Sequence, residues 1–202
     1  MWGSTALAVN TEMLNPKLYT SLASLWEPSL AGNLLLPNDS REVVGIGLKS
    51  LGYSFNDTDP EHLKQACDKL MELAPRVRAY DSDSPKQALL SGDVLAAVMW
   101  NGEAFIANQE NSNIAYIYPD EGFSLWLDSF AIPKGAKNTE AAHAFLDFIL
   151  RPDIAAAIST EMGYSTPNAE AFKLLPPEVR NNPIVYPSKE FLKRGEYLKD
   201  LG

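Results

Sequence analysis

The sequence predicts an α/β fold built on a mostly parallel central sheet. Short apolar runs of strand length alternate with segments of helical periodicity, the pattern of strand–helix–strand units. One run, Val94 to Trp100 (VLAAVMW), is nearly continuous in apolar residues, as a central strand covered on both faces must be. The 202 residues, 46% hydrophobic and 21% charged, match an ordinary globular chain. That length suffices for one good core, or for one large domain and part of another.

Taken in order, Ser4 to Asn10 (STALAVN) is the first strand candidate, closed by Asn10-Thr11. Ser21 to Pro28 reads as a short helix with Trp26 on its apolar side and Pro28 stopping it. Leu34-Leu35-Leu36 is a compact buried strand ending at Pro37, and Asn38 to Glu42 opens a helix that Gly52 ends. Asp59 caps the next helix with Pro60 at its first position. There Leu63, Ala66, Leu70 and Leu73 make one apolar stripe. Val77 to Tyr80 is a strand, Ser84-Pro85 starts a short helix through Leu90, and Glu103 to Gln109 forms another after Trp100. Ile114 to Tyr118 is a strand, and Phe123 to Ile132 is expected to be the longest, stopped by Pro133. Helices follow over Thr139 to Leu150 and Pro152 to Met162, then a loop over Gly163 to Asn168. The tail, with Pro176, Pro177, Pro183 and Pro187, holds at most short helices.

Charge and motifs exclude several functions. Seventeen basic against 26 acidic side chains give a net charge of −9, which argues against nucleic acid and favours cations at long range. Cys67 is the only cysteine, so no intrachain disulfide or thiolate cluster is available. It is expected to be an inert buried thiol beside the stripe of its helix. His62 and His143 lack ligand spacing, so no metal site is expected. No cofactor is expected either: Gly45-Ile46-Gly47 lacks a third glycine and lies in a helix. Met1-Trp2-Gly3-Ser4-Thr5 has no basic leader, and no 18-residue apolar run suggests a membrane span. A strand directly after Met1 is read as the edge of a mature or truncated fragment.

The residues that could carry chemistry lie at strand ends, where open α/β sheets bind ligands. Asp39 and Glu42 fit a capping box. They equally fit two carboxylates exposed at a helix tip that accept from a protonated amine. Trp126 and Asp128 share one strand face, with Leu125 and Leu127 on the other. An aspartate there needs a partner, a cation or solvent. Trp100, just before Asn101-Gly102, is either core or a second aromatic wall of a cation site. Tyr164 would not be chosen by itself.

Five segments together resemble a known family: Leu36-Pro-Asn-Asp-Ser-Arg-Glu-Val, Met99-Trp-Asn-Gly-Glu-Ala-Phe, Trp126-Leu-Asp-Ser-Phe-Ala-Ile-Pro, Leu150-Arg-Pro-Asp and Gly163-Tyr-Ser-Thr-Pro-Asn. In this order, and with Trp2-Gly3 and Ser24-Leu-Trp-Glu-Pro, the chain resembles the spermidine/putrescine-binding proteins, the periplasmic substrate-binding components of polyamine ABC transporters. The resemblance implies a lobe of the type II periplasmic-binding-protein fold. Residues 1–128 would be the C-terminal lobe, 129–165 a returning piece of the N-terminal lobe, and 166–202 a return to the first. It also implies reversible polyamine binding and delivery to a membrane permease. Asp39 and Glu42 would hold one ammonium, Asp128 an inner amine, Trp100 and Trp126 the aliphatic chain, and Tyr164 a further wall. Leu198 stands where the family tends to place a hydrogen-bonding glutamine.

Most of the family's N-terminal lobe has no counterpart here. Half a site is therefore expected, with the apolar faces of Ala144, Phe145, Phe148, Ile149 and Ile158 covered by a swapped dimer or an N-terminal-lobe fragment. Two other functions fit the residues alone: acid–base hydrolysis of a sugar by the carboxylates, and binding of another solute such as thiamine or a sugar.

Overall fold

A computed structural model of the protein describes residues 1–201. Its strands are β1 (Trp2–Asn10), β2 (Leu34–Leu36), β3 (Val77–Tyr80), β4 (Ala96–Trp100), β5 (Ile114–Ile117), β6 (Phe123–Leu127) and β7 (Gly195–Tyr197). The helices are α1 (Ser40–Ser50), α2 (Pro60–Leu73), α3 (Pro85–Ser91), α4 (Asn101–Glu110), α5 (Thr139–Ile149), α6 (Pro152–Met162), α7 (Ala169–Leu174), α8 (Pro177–Arg180) and α9 (Lys189–Leu192).

All seven strands form one sheet in the order β3-β2-β4-β1-β6-β7, with β5 also on β1. β1 is antiparallel to β4, β5 and β6, while β2–β3, β2–β4 and β6–β7 are parallel. Six strands therefore point one way and β1 alone runs against them, a mostly parallel sheet as expected. One edge of β1 takes β4; the other takes β6 along its first half and β5 along its second.

Alternation along β1 builds a core on each side of the sheet. Leu7 and Val9, with Leu34, Leu36 and Val98, pack on Ile46 of α1, Leu73 of α2 and the 3₁₀ segment containing Leu22 and Leu25. Ala8, with Leu35, Ala97 and Met99, packs on Phe105 of α4, Ala156 of α6 and Ala171, Val179 and Val185 of the tail. The proline-rich tail is thus a covering layer for the second face.

Several expectations need correction. The strand from Phe123 stops at Leu127 rather than Ile132, because Leu127 pairs with Trp2 and the partner strand goes no further. Ser21 to Pro28 forms two 3₁₀ turns, Leu22–Trp26 and Pro28–Leu30, not an α-helix. The tail contributes β7, a strand its prolines concealed. Cys67 is exposed, not buried; Ala66 beside it takes the buried position on α2. On α5 no residue is buried. Phe145 and Phe148 are 52% and 49% exposed, with Phe130 (70%) resting edge-on against Phe145.

Candidate functional site

The β4–β1–β6 register assembles the site. Thr5 of β1 lies opposite Trp100 on one side and Ser124 on the other, and Gly3 lies opposite Trp126. Directly opposed residues share a face, as do residues two apart on a strand. Trp100, Thr5, Ser124 and Trp126 therefore present their side chains on one face, at the end of the sheet where β4 and β6 finish. Ser124 and Trp126 are separated by about 7 Å along the strand.

Helix α1 begins over this row because Pro37 and Asn38 end β2 and Asp39 caps the helix. The Asp39 carboxylate, itself exposed, accepts from the amides of Arg41 (2.8 Å) and Glu42 (3.2 Å). One turn on, Glu42 points down onto the sheet and is only 4% exposed. It accepts from Thr5 Oγ1 at 2.9 Å and from Ser124 Oγ at 2.9 and 2.8 Å. This corrects the expectation that an N-terminal turn exposes both carboxylates. Nor is the capping box reciprocal, since Glu42 takes the two hydroxyls instead. Burial pushes its carboxyl pKa up, partly offset by the Ser124 and Thr5 hydroxyls, while Asp39 adds a further upward push.

Trp126 occupies the other half of the site. A Cβ at Gly3 would collide with its ring and with Asn101 Oδ1, so glycine makes the room in which the indole sits. Trp126 meets Tyr164 edge-on, with ring centroids 5.3 Å apart. Its Nε1 is buried without a hydrogen-bond partner among the described residues. Tyr164 is 9% exposed. Burial holds its phenol well above the ordinary value, and the charges of Glu103 and Asp128 push the same way. Asp128 is exposed just past β6, where its amide donates to Met1 O at 3.0 Å.

The end of β4 is fixed by Asn101, only 1% exposed. Its Oδ1 accepts from the Ser4 amide at 3.0 Å, and its Nδ2 donates to Ile184 O at 3.2 Å. Trp100 is thereby pinned between β1 and the tail. The structure thus gathers the six residues into two neighbouring groups: Asp39, Glu42 and Trp100 under α1, and Trp126, Asp128 and Tyr164 beside them. The first group adds Thr5 and Ser124, which sequence reasoning missed. Their signal was a hydroxyl at a strand position otherwise given to apolar residues. No group of three or more His, Cys, Asp or Glu among the described residues is arranged to hold a metal ion.

Comparison with known proteins places the chain. The family described as bacterial extracellular solute-binding protein matches residues 1–187. The spermidine/putrescine-binding periplasmic protein of Escherichia coli K12 is 45% identical over all 202 residues, which span 58% of that relative. Among solved structures, a Listeria monocytogenes protein is 40% identical with a TM-score of 0.95, all of this chain covering 62% of it. The spermidine/putrescine ABC transporter substrate-binding protein of Streptococcus pneumoniae, solved with calcium and HEPES, is 35% identical with a TM-score of 0.84, again over all of this chain and 62% of the other. The chain thus spans less than two thirds of each of these relatives. With a family match over nearly its whole length, it belongs to the bacterial extracellular solute-binding proteins.

Proposed function

We propose that this chain forms one wall of a polyamine-binding site and takes spermidine or putrescine reversibly, without catalysis, for delivery to the membrane permease of an ABC transporter in the periplasm. The observation that carries the reading is the shared sheet face. Two tryptophans lie in one strand register beneath an acidic helix start, with Asp128 and Tyr164 beside them. The named ligands of the E. coli relative, alike over the whole chain, support the same ligand class.

In this reading Asp39 and Glu42 hold one ammonium group and Asp128 another, by charge-assisted hydrogen bonds. Trp100, Trp126 and Tyr164 line the alkyl chain and face its charges. A cation–π contact is worth about 2 kcal/mol when desolvated and about 0.5 kcal/mol when exposed. Residues 1–128 and 166–202 form most of the lobe that carries the site, with Ala156 of α6 and Tyr164 packed onto it, and the rest of 129–165 belongs to the opposing lobe. Phe130, Phe145, Phe148 and Leu150 are the surface that lobe, or a swapped second copy, covers.

Calorimetry with spermidine and putrescine, alongside the full-length E. coli relative, tests the reading. Binding by this chain that is measurable but weaker supports one wall of a two-walled site. Affinity equal to the relative's overturns the half-site, and no binding to either amine overturns the polyamine assignment. Light scattering tests the apolar face: a clean monomer with no second fragment present counts against a swapped dimer.

A further inference from the structure

We propose that Glu103 is a further ligand-contacting carboxylate of this site, and that it tilts the preference toward polyamines with three positive charges over those with two. The inference rests on the polyamine reading above and adds a specificity residue to it.

The geometry begins at Gly102. A Cβ there would run into the Tyr164 ring, so the first turn of α4 lies directly against that ring. Glu103 is the next residue, in the turn that meets Tyr164, while Trp126 at the end of β6 meets the same ring. Glu103 and Asp128 are the two charges that act on the Tyr164 phenol. They come from different elements, the first turn of α4 and the end of β6.

Neither carboxylate has an ion pair or a side-chain hydrogen bond among the described residues. Tyr164 is largely buried, and its hydroxyl, which keeps access to solvent, makes no hydrogen bond to a described residue. A hydroxyl open to solvent and flanked by two unpaired carboxylates is a spot rich in acceptors. An ammonium group satisfies all three at once, because it donates up to three hydrogen bonds and cancels charge. A carboxylate in the first turn of α4 also favours the helix dipole. That role alone would leave the choice between ligands untouched.

The count of charges sets the selectivity. The carboxylates fall in two groups, Asp39 with Glu42 under α1 and Asp128 with Glu103 around Tyr164. A diamine places one ammonium in each group and leaves a carboxylate at Tyr164 uncompensated. A triamine has a third ammonium for it.

The test is calorimetric titration of spermidine and putrescine into the unsubstituted chain, Glu103→Gln and Glu178→Gln. Glu178 lies on the exposed side of α8 and loses the same charge away from the site. Glu103→Gln is expected to weaken spermidine by about tenfold and putrescine by no more than about threefold, as loss of one charge-assisted hydrogen bond predicts. Glu178→Gln is expected to change neither. Equal losses for both amines, or no loss, overturn the assignment while leaving polyamine binding in place. Absence of binding by the unsubstituted chain overturns the polyamine reading and this proposal with it. Thermal midpoints of the variants read the helix-dipole role separately: a lowered midpoint with an unchanged spermidine-to-putrescine ratio assigns Glu103 to α4 stability and overturns the proposal.

Discussion

Ser124 donates its hydroxyl to both carboxylate oxygens of Glu42, at 2.9 and 2.8 Å, across 82 residues of sequence. Its cross-strand neighbour Thr5 donates to the same carboxylate. Two hydroxyls do not replace water fully, and burial still raises the Glu42 pKa. Because the folded value lies above the unfolded one, the protonated form favours folding. That contribution is complete below the ordinary carboxylate value and is lost as pH rises through the raised one. Glu42→Gln keeps an acceptor for the hydroxyls and removes the buried charge. It is expected to raise the urea midpoint at pH 7 and to gain little at pH 4. A difference from the unsubstituted chain that does not change with pH would contradict this account.

The same carboxyl couples ligand to protons. A bound ammonium favours the ionised form, so binding pulls the raised Glu42 pKa back down and releases a proton at mildly acidic pH. Polyamine affinity is therefore expected to fall as pH falls through the raised value. Calorimetry at mildly acidic pH, in two buffers of different ionisation enthalpy, reads the proton release directly. It should vanish in Glu42→Gln, and its absence from the unsubstituted chain would separate Glu42 from the ligand.

Asp39 serves both the helix and the site, and two substitutions part those roles. Asparagine caps a helix about as well as aspartate, whereas alanine at this position costs about 1 kcal/mol. Asp39→Asn should leave the thermal midpoint nearly unchanged and weaken spermidine binding about tenfold, the worth of a charge-assisted hydrogen bond. Asp39→Ala should lower both. If Asp39→Asn binds spermidine normally, Asp39 is a cap and nothing more.

How much of this was legible in the sequence depended on whether a residue's partner is near or far along the chain. Caps such as Asp59 with Pro60, and the apolar run of β4, are local signals, and each forms the element expected. Trp100 and Trp126 could be placed at strand ends for the same reason. Their shared face could not, because it depends on Thr5 and Gly3 of a strand about a hundred residues away. Glu42 was misjudged as exposed for an equivalent reason. Helical spacing shows which turn it occupies, while its burial follows from Ser124 arriving on β6. The limit of β6 at Leu127 likewise belongs to β1, which starts at Trp2. Cys67 shows the reverse error: one residue's offset from a helical stripe is enough to put a side chain in solvent.

Gly3 offers the sharpest test of how the indole wall is held. The Cβ of an alanine there would meet the Trp126 ring and Asn101 Oδ1. Asn101 cannot yield, since it is bonded to both the Ser4 amide and Ile184 O, so the indole must move. Gly3→Ala is expected to cost about 1–3 kcal/mol, the usual penalty of overpacking. It should also change the near-ultraviolet circular dichroism of the tryptophans and weaken spermidine binding. Trp126→Phe supplies a smaller ring in the same place. If the indole is what the new methyl strikes, the penalty of Gly3→Ala shrinks in the Trp126→Phe background, a coupling that a double-mutant cycle measures. An equal penalty in both backgrounds would place the conflict at Asn101 instead, and would free Trp126 from any dependence on the glycine opposite it.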